Sequence, residues 1–173
     1  GMGHMTGNDH GGNQPGSMGD LSNDCKTIAE VLAPAGYRNY AVGKWHVCNS
    51  ITQAGPRHNW PLNRGFHSFY GMVSGGGSYF DPWTLCRDNN LISPFNDPDY
   101  KPSTYYLTDA ITEHAVRDIA THRAGHADKP FFLYVSYTAA HWPLHALPED
   151  IARHKGRYKD GYEAISKIGR AHV

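Results

Sequence analysis

Two apolar segments, each followed by polar residues, stand out in the hydrophobic pattern of the chain. Tyr40-Ala41-Val42 predicts a short buried strand that ends at Gly43. Phe131-Phe132-Leu133-Tyr134-Val135 is a continuous apolar run of strand length. Because such a run carries no polar alternation, it predicts a strand buried on both faces of a mainly parallel sheet.

A helix is predicted before the first of these strands. Ile28, Val31 and Leu32 recur at helical spacing, and Ser22-Asn23-Asp24 offers side chains that cap a helix N-terminus. Pro34 and Gly36 stop the turn, so the pattern predicts a helix over about residues 25–35.

A second helix is predicted before the second strand. It begins at Thr108 or Asp109 and closes near His122-Arg123 and Gly125, and its apolar residues keep i, i+4 spacing. The order helix, strand and polar loop therefore occurs twice. This order predicts an α/β fold with a mixed or parallel sheet flanked by helices.

The remaining stretches predict loops. Residues 1–24 contain no Val, Ile, Phe, Trp or Tyr, and residues 48–104 are rich in Gly, Pro, Asn, Asp and Ser without sustained periodicity. The aromatic residues of this long second stretch favour a role in shaping a binding site. Within it, Ser74-Gly75-Gly76-Gly77-Ser78 either lets a substrate approach the backbone or acts as a flexible link.

The composition and charge of the chain argue against two classes of function, nucleic-acid binding and binding to anionic membranes. Sixteen Lys and Arg balance sixteen Asp and Glu, so the chain lacks the basic surface of a nucleic-acid binder or of a protein that binds anionic membranes. No apolar run approaches the length of a membrane span, and no signal peptide is visible. The content of Leu, Ile, Val and Phe is low for an independent domain, so we expect a piece of a larger protein.

Polar side chains with useful chemistry follow both strands. Lys44 and His46 lie two residues apart, and an extended backbone would project both to the same side. An ammonium group beside an imidazole suits an anion whose charge rises in a transition state. His141 and His145 have the spacing of helical metal ligands, but Pro143 between them argues against a helix and therefore against a metal pair. Because ligands of open α/β sheets lie at the carboxyl ends of strands, we expect both clusters to face one crevice.

Six blocks of the sequence together resemble a known family. In chain order they resemble successive blocks of a type I arylsulfatase, a formylglycine-dependent sulfatase, and they span nearly the whole chain. The blocks are Gly3-His4-Met5-Thr6-Gly7, Asp24-Cys25-Lys26-Thr27-Ile28-Ala29-Glu30-Val31-Leu32, Ala35-Gly36-Tyr37-Arg38, Gly43-Lys44-Trp45-His46, Arg64-Gly65-Phe66, and Pro130-Phe131-Phe132-Leu133-Tyr134-Val135 through His141-Trp142-Pro143-Leu144-His145-Ala146.

The resemblance implies an alkaline-phosphatase-like fold and the hydrolysis of a sulfate ester. In such enzymes a formylglycine gem-diol attacks sulfur, while calcium, Lys and His neutralise the sulfate oxygens. Lys44 then contacts a sulfate oxygen, His46 positions or deprotonates the nucleophile, and His141 contacts the sulfate near the leaving oxygen. His145 joins Lys44 and His141 as a substrate-binding residue. The implied partners are a small-molecule or carbohydrate sulfate ester and a formylglycine-generating (sulfatase-maturing) enzyme.

The chain also departs from this pattern. Cys25, Cys48 and Cys86 are expected to be free thiols or to form at most one pair, and none begins the C/S-x-P/A-x-R motif from which formylglycine is made. The family's calcium-binding Asp residues have no counterpart either. We therefore expect residues 1–166 to be the central part of a sulfatase catalytic domain, inactive alone, and residues 167–173 to be a non-native tail.

Two other functions remain open on the sequence. One is a non-catalytic relative that binds sulfated or other anionic ligands. The other is a phosphodiesterase or phosphonate hydrolase of the same fold. A periplasmic, secreted or lysosomal location would suit the family.

Overall fold

The computed structural model describes residues 19–156 and contains a five-stranded mixed sheet. Its strands are β1 (Arg38–Lys44), β2 (Ser68–Met72), β3 (Leu85–Arg87), β4 (Asn90–Leu91) and β5 (Phe131–Ser136). They lie in the order β4-β3-β2-β1-β5. β1 is parallel to both β2 and β5, whereas β3 is antiparallel to β2 and β4. The predicted α/β class with a mixed sheet is confirmed.

Helices accompany the sheet. They are α1 (Ile28–Leu32), which continues as a 3₁₀ turn at Ala33–Ala35, α2 (Leu107–Gly125) and the short α3 (Pro148–Arg153). The second predicted helix is confirmed as α2, whereas α3 was not expected from the periodicity. No helix within residues 19–156 is long and apolar enough to cross a bilayer.

The sheet separates two apolar clusters. Val42 and Tyr70 pack with Leu107 and Ile111 of α2. The chain neighbours of these two strand residues, Ala41 and Phe69, point to the other face of the sheet. There they join a second cluster that includes Ala29 of α1 and residues of the 48–66 segment. The buried members of this cluster are Ala29, Ala41, Cys48, Trp60, Phe66, Phe69, Val73 and Cys86. This alternation is the expected consequence of strand geometry and makes the fold a helix–sheet–helix sandwich.

The N-terminus of α1 differs from the prediction. Thr27, and not Ser22-Asn23-Asp24, is the N-cap: its hydroxyl accepts a hydrogen bond from Glu30 N at 3.1 Å. The Glu30 carboxylate accepts a 2.6 Å hydrogen bond from Thr27 N in return. This reciprocal capping box satisfies two backbone donors, which explains why the helix is capped by Thr27 and not by the earlier residues. The predicted stop at Gly36 is confirmed, because Gly36 adopts the left-handed conformation with φ 86°.

β1 extends beyond the predicted end at Gly43. Gly43 is paired within the ladder, opposite Gly71 of β2 and Ser136 of β5, and the strand runs on to Lys44. Its φ is 109°, and a Cβ atom there would lie 1.8 Å from the carbonyl oxygen of Ser136. At Gly71 a Cβ atom would lie 1.9 Å from the carbonyl oxygen of Gly43. Glycine is therefore required at this position by the approach of the neighbouring strands, and it does not end the strand.

The stretch 48–104 is not only loop. It contributes β2, β3 and β4, which the sequence did not predict. Four of the five residues of β2 are buried, so the strand shows no alternation of apolar and polar residues. β3 and β4 are three and two residues long, too short to display a period.

β5 forms where predicted but is not buried on both faces. Phe131, Tyr134 and Val135 are 42%, 42% and 39% exposed. β5 is the outer strand of the sheet described here, with β1 as its neighbour. Its continuous apolar run therefore lacks, within residues 19–156, the cover that the pattern predicts.

We predict that Gly43→Ala destabilises the fold by about 3 kcal/mol or more, because it combines an unfavourable φ with a backbone collision. Gly36→Ala is the matched control: Gly36 also has positive φ, but a Cβ atom there meets nothing within 4 Å. That control should cost about 1–2 kcal/mol. Urea unfolding measures both free energies. Equal losses in the two variants would contradict the steric role of Gly43.

Candidate functional site

Three chain segments leave the sheet at the same edge. β1, β2 and β5 are parallel, so their carboxyl ends lie side by side. Lys44 ends β1, residues 73–78 follow β2, and residues 137–141 follow β5. The structure thus places both polar clusters identified in the sequence at one edge, as predicted for ligand sites of α/β sheets.

Lys44 and His46 lie where β1 ends. The backbone N–H groups of Trp45 and His46 donate to the carbonyls of Met72 and Val73 at 2.8 and 3.2 Å, so the chain still follows β2 beyond the strand. The backbone is not extended at His46, however, because its φ is 54°. This left-handed conformation is uncommon for a residue with a side chain. The extended backbone that would project Lys44 and His46 to the same side is therefore not present at His46.

The segment Ser74-Gly75-Gly76-Gly77-Ser78, called the glycine loop below, contacts two of the candidate histidines. A Cβ atom at Gly75 would lie 2.5 Å from both Cε1 and Nε2 of His46. A Cβ atom at Gly76 would lie 2.9 Å from Nδ1 of His141. Two imidazoles that are far apart in sequence therefore pack against consecutive residues of one loop.

His141 has one ring nitrogen engaged by the protein. Its Nδ1 lies 2.7 Å from the carbonyl oxygen of Trp142. Because a carbonyl only accepts hydrogen bonds, Nδ1 carries a proton and donates it. The remaining nitrogen, Nε2, is therefore the ring atom through which the exposed His141 would contact a ligand.

His145 occupies a different environment. Its Nδ1 accepts a hydrogen bond from Tyr79 N at 3.3 Å, and its ring lies 6.0 Å from the Tyr79 ring and 5.5 Å from the Phe80 ring, measured between centroids. The backbone donor fixes the neutral ring with its proton on Nε2. His145 is half-buried among aromatic side chains, and its predicted contact with substrate stays a prediction.

Tyr79 connects the glycine loop to the segment that carries His141. Its side chain is fully buried, and its hydroxyl lies 3.0 Å from the carbonyl oxygen of Thr138 and 2.9 Å from that of His141. Burial raises the pKa of Tyr79, although the hydrogen bond to His141 opposes this shift. The phenol thus remains a donor. In the sequence Tyr79 is one aromatic residue among several, because these partners lie about 60 residues away in the chain.

The described residues offer no cluster of metal ligands, and burial keeps two of their three thiols protonated. Within residues 19–156, no group of three or more His, Cys, Asp and Glu side chains is arranged to hold a metal ion. Cys25, Cys48 and Cys86 are free, as expected. Burial raises the pKa of the Cys48 and Cys86 thiols to about 12, with nearby Asp20 adding to the shift at Cys48, so neither is a nucleophile near neutral pH.

The fold of this chain is shared with solved structures. Ps i-CgsB in complex with k-i-k-neocarrahexaose superposes with a TM-score of 0.70 at 24% identity, covering 98% of this chain and 37% of that one. BT4656, in complex with its substrate D-glucosamine-2-N,6-O-disulfate, gives a TM-score of 0.57 at 23% identity, covering 82% of this chain and 24% of that one. The alkaline-phosphatase-like fold implied by the sequence is thus confirmed.

Curated relatives are similar along most of the chain. Mouse arylsulfatase J is 30% identical over 95% of this chain and 26% of its own length. Mouse N-acetylgalactosamine-6-sulfatase is 30% identical over 86% of this chain and 29% of its own length. An uncharacterised sulfatase of Schizosaccharomyces pombe is 29% identical over 90% of this chain and 28% of its own length. The chain thus spans less than a third of each of these relatives.

The sulfatase family model matches residues 2–169, nearly the entire sequence. This match includes the segments that carry Lys44, His46, His141 and His145. The sequence resemblance is thereby confirmed, and the chain belongs to the sulfatase family.

Proposed function

We propose that this chain forms part of the active site of a sulfuric ester hydrolase, with residues 1–166 as the central part of its catalytic domain. The observation that carries the proposal is the meeting of His46 and His141 on the glycine loop, at the strand end that also bears Lys44. The family membership of the chain supports sulfate as the group that is recognised.

Each of these side chains has a role in the proposal. Lys44 places a fixed positive charge against a sulfate oxygen, whose negative charge rises as the ester bond breaks. His46 positions or deprotonates the attacking hydroxyl group. His141 directs Nε2 towards the sulfate near the leaving oxygen, since its Nδ1 donates to Trp142. His145 and Lys44 contribute to substrate binding.

The nucleophile and the metal come from other residues in this proposal. The described residues do not fit calcium, since they provide no cluster of suitable ligands. None of the three cysteines begins a formylglycine motif, and two of them are buried thiols. We therefore assign to this chain the side chains that bind the sulfate group and assist the reaction, but neither the nucleophile nor the metal ligands. In this proposal the calcium ligands and the formylglycine lie in other parts of the full-length protein, and the maturing enzyme is a separate partner.

The proposed substrates are sulfated carbohydrates or aryl sulfates. The solved relatives are described with a carrahexaose and with a glucosamine disulfate, and the curated relatives include arylsulfatases and an N-acetylgalactosamine-6-sulfatase. Residues 55–100, which include the glycine loop, supply the surface beside His46 and His141. Differences in this segment are expected to select the alcohol or sugar.

The 173-residue chain alone should not turn over sulfate esters, even with added calcium, because it lacks the nucleophile and metal ligands that provide most of the rate acceleration. The assay uses purified chain with nitrophenyl sulfate and nitrocatechol sulfate. A no-protein blank and a sulfatase with its formylglycine in place serve as controls. Turnover above the blank would contradict the assignment of the nucleophile and the metal ligands to residues outside this chain.

Lys44→Ala in the full-length protein should lower kcat by about 10²–10³, because one preorganised charge facing the developing negative charge is lost. KM should change much less, since the interaction strengthens in the transition state. Steady-state kinetics on an aryl sulfate measures both. Lys101→Ala, at an exposed position between β4 and α2, is the control. An unchanged kcat in Lys44→Ala would overturn the assignment.

His141→Ala should also lower kcat, and its effect should grow as the leaving group becomes poorer. A good leaving group departs without help, whereas an alkoxide needs a proton or a hydrogen bond as it forms. A series of aryl and alkyl sulfates of increasing leaving-group pKa gives the slope of log kcat. His126→Ala is the control, because His126 lies at the other end of the sheet, beyond the C-terminus of α2. Parallel slopes in wild type and His141→Ala would place His141 away from the leaving oxygen.

A further inference from the structure

We propose that the glycine loop is the positioning element of the candidate site. It has this function because its backbone packs directly on the imidazoles of His46 and His141. The catalytic part of this inference rests on the proposed function, whereas its structural part concerns only the positions of the two imidazole rings. It assigns Gly75 and Gly76 as positioning residues, which the sequence described only as a point of substrate approach or a flexible link.

The requirement for glycine at these positions is steric. Neither Gly75 nor Gly76 has the positive φ that excludes other residues, so an alanine fits the backbone conformation. What it does not fit is the space. A methyl group at Gly75 would collide with His46, at 2.5 Å from Nε2, and a methyl group at Gly76 would collide with His141. The rings and the loop backbone are thus in direct contact.

A Cβ atom at Gly76 would lie against the hydrogen bond between His141 and Trp142. The added Cβ atom would lie 2.9 Å from Nδ1 of His141 and 3.1 Å from the carbonyl oxygen of Trp142. These two atoms are the donor and the acceptor of the bond that fixes the His141 tautomer. A methyl group there would therefore displace the ring from the carbonyl and break the hydrogen bond that favours the proton on Nδ1 over Nε2.

Hydrogen bonds hold the glycine loop in a fixed position, as its positioning role requires. The Ser74 hydroxyl lies 2.6 Å from the Thr84 hydroxyl and 3.2 Å from the carbonyl oxygen of Gly76. The indole N–H of Trp83 donates to the same carbonyl at 3.3 Å. Ser74 is buried and Thr84 is fully buried, so the bond between their hydroxyls is shielded from water, whereas Trp83 is exposed. The glycine loop is thus anchored to the β3 side of the sheet and is not a flexible link.

Tyr79 fixes the other side of the arrangement. Immediately after the loop, its hydroxyl binds the carbonyl oxygens of Thr138 and His141. The backbone of His141 is thereby tied to the same segment of chain that presses on its ring. Ring and backbone are set by one element, which leaves His141 little freedom to turn.

The test compares three alanine variants of one loop. Gly75→Ala displaces His46, and Gly76→Ala displaces His141. Gly77→Ala is the matched control, because the atoms nearest to its Cβ atom would belong to Trp83, at 3.1 Å, and Met72, at 3.5 Å, and not to a histidine ring. Each variant of the 173-residue chain is labelled with ¹⁵N-histidine, and long-range ¹H–¹⁵N correlation spectra report which ring nitrogen carries the proton.

In the wild type, His141 should show a protonated Nδ1 and His145 a protonated Nε2. In Gly76→Ala the His141 Nδ1 signal should move towards the unprotonated position, while the His145 signals stay unchanged as an internal reference. Gly75→Ala should shift only the His46 signals, and Gly77→Ala should shift neither ring. His141 signals in Gly76→Ala that match the wild type would overturn the proposal. So would a loss of all dispersed signals in Gly77→Ala, since the loop would then act through folding alone.

The catalytic consequence is measured in the full-length protein. Displacement of a ring by about an ångström should lower kcat by about 10²-fold in Gly75→Ala and Gly76→Ala, with a much smaller change in KM. Gly77→Ala should retain kcat within a few-fold of wild type. A wild type that does not hydrolyse sulfate esters would refute the proposed function and leave the NMR result standing. Normal kcat in both variants beside an active wild type would refute the positioning role.

Discussion

The close approach of three parallel strands at Gly43 governs the rest of this structure. Gly43 lies between Gly71 of β2 and Ser136 of β5, and no Cβ atom fits at either glycine because a neighbouring carbonyl occupies the space. The strand ends are therefore drawn together at this level of the sheet. The segments that follow β1, β2 and β5 therefore begin close to one another. Lys44, the glycine loop and the segment leading to His141 meet at one edge for this reason.

Behind this edge, a buried polar cluster adds to apolar burial in fixing the elements to one another. Arg64 is buried, and its guanidinium binds the Glu30 carboxylate at 3.0 Å, the carbonyl oxygen of Cys25 and the side chain of Asn59. It thus joins the start of α1 to the 48–66 segment. An unpaired guanidinium would be costly in such a place, so these contacts act as a set. The Arg64-Gly65-Phe66 block, which contributed to the family resemblance, is therefore structural here and distinct from the candidate site.

The sequence predicted those features that depend on local pattern. α2 and β5 were found because a long helical period and an uninterrupted apolar run are visible in single segments. β2 was not, because its burial arises from pairing with β1 and β3, which local periodicity does not report. The strand-end positions of Lys44 and His141 followed from the order of elements. The left-handed conformation of His46 and the bonds of Tyr79 did not, since both reflect contacts between segments far apart in the chain.

The orientation of His141 also constrains the chemistry proposed for the site. Oxygens of a sulfate ester accept hydrogen bonds, so a ring that contacts them must offer a donor. Nδ1 already donates to the carbonyl of Trp142, and this leaves Nε2 as the contacting atom. Nε2 donates only when the ring holds its second proton. In the proposed role, His141 is therefore an imidazolium when it binds the ester, and with Lys44 it presents two positive charges to one sulfate group. The same proton is then available to the leaving oxygen, so that anion binding and leaving-group assistance depend on a single protonation state.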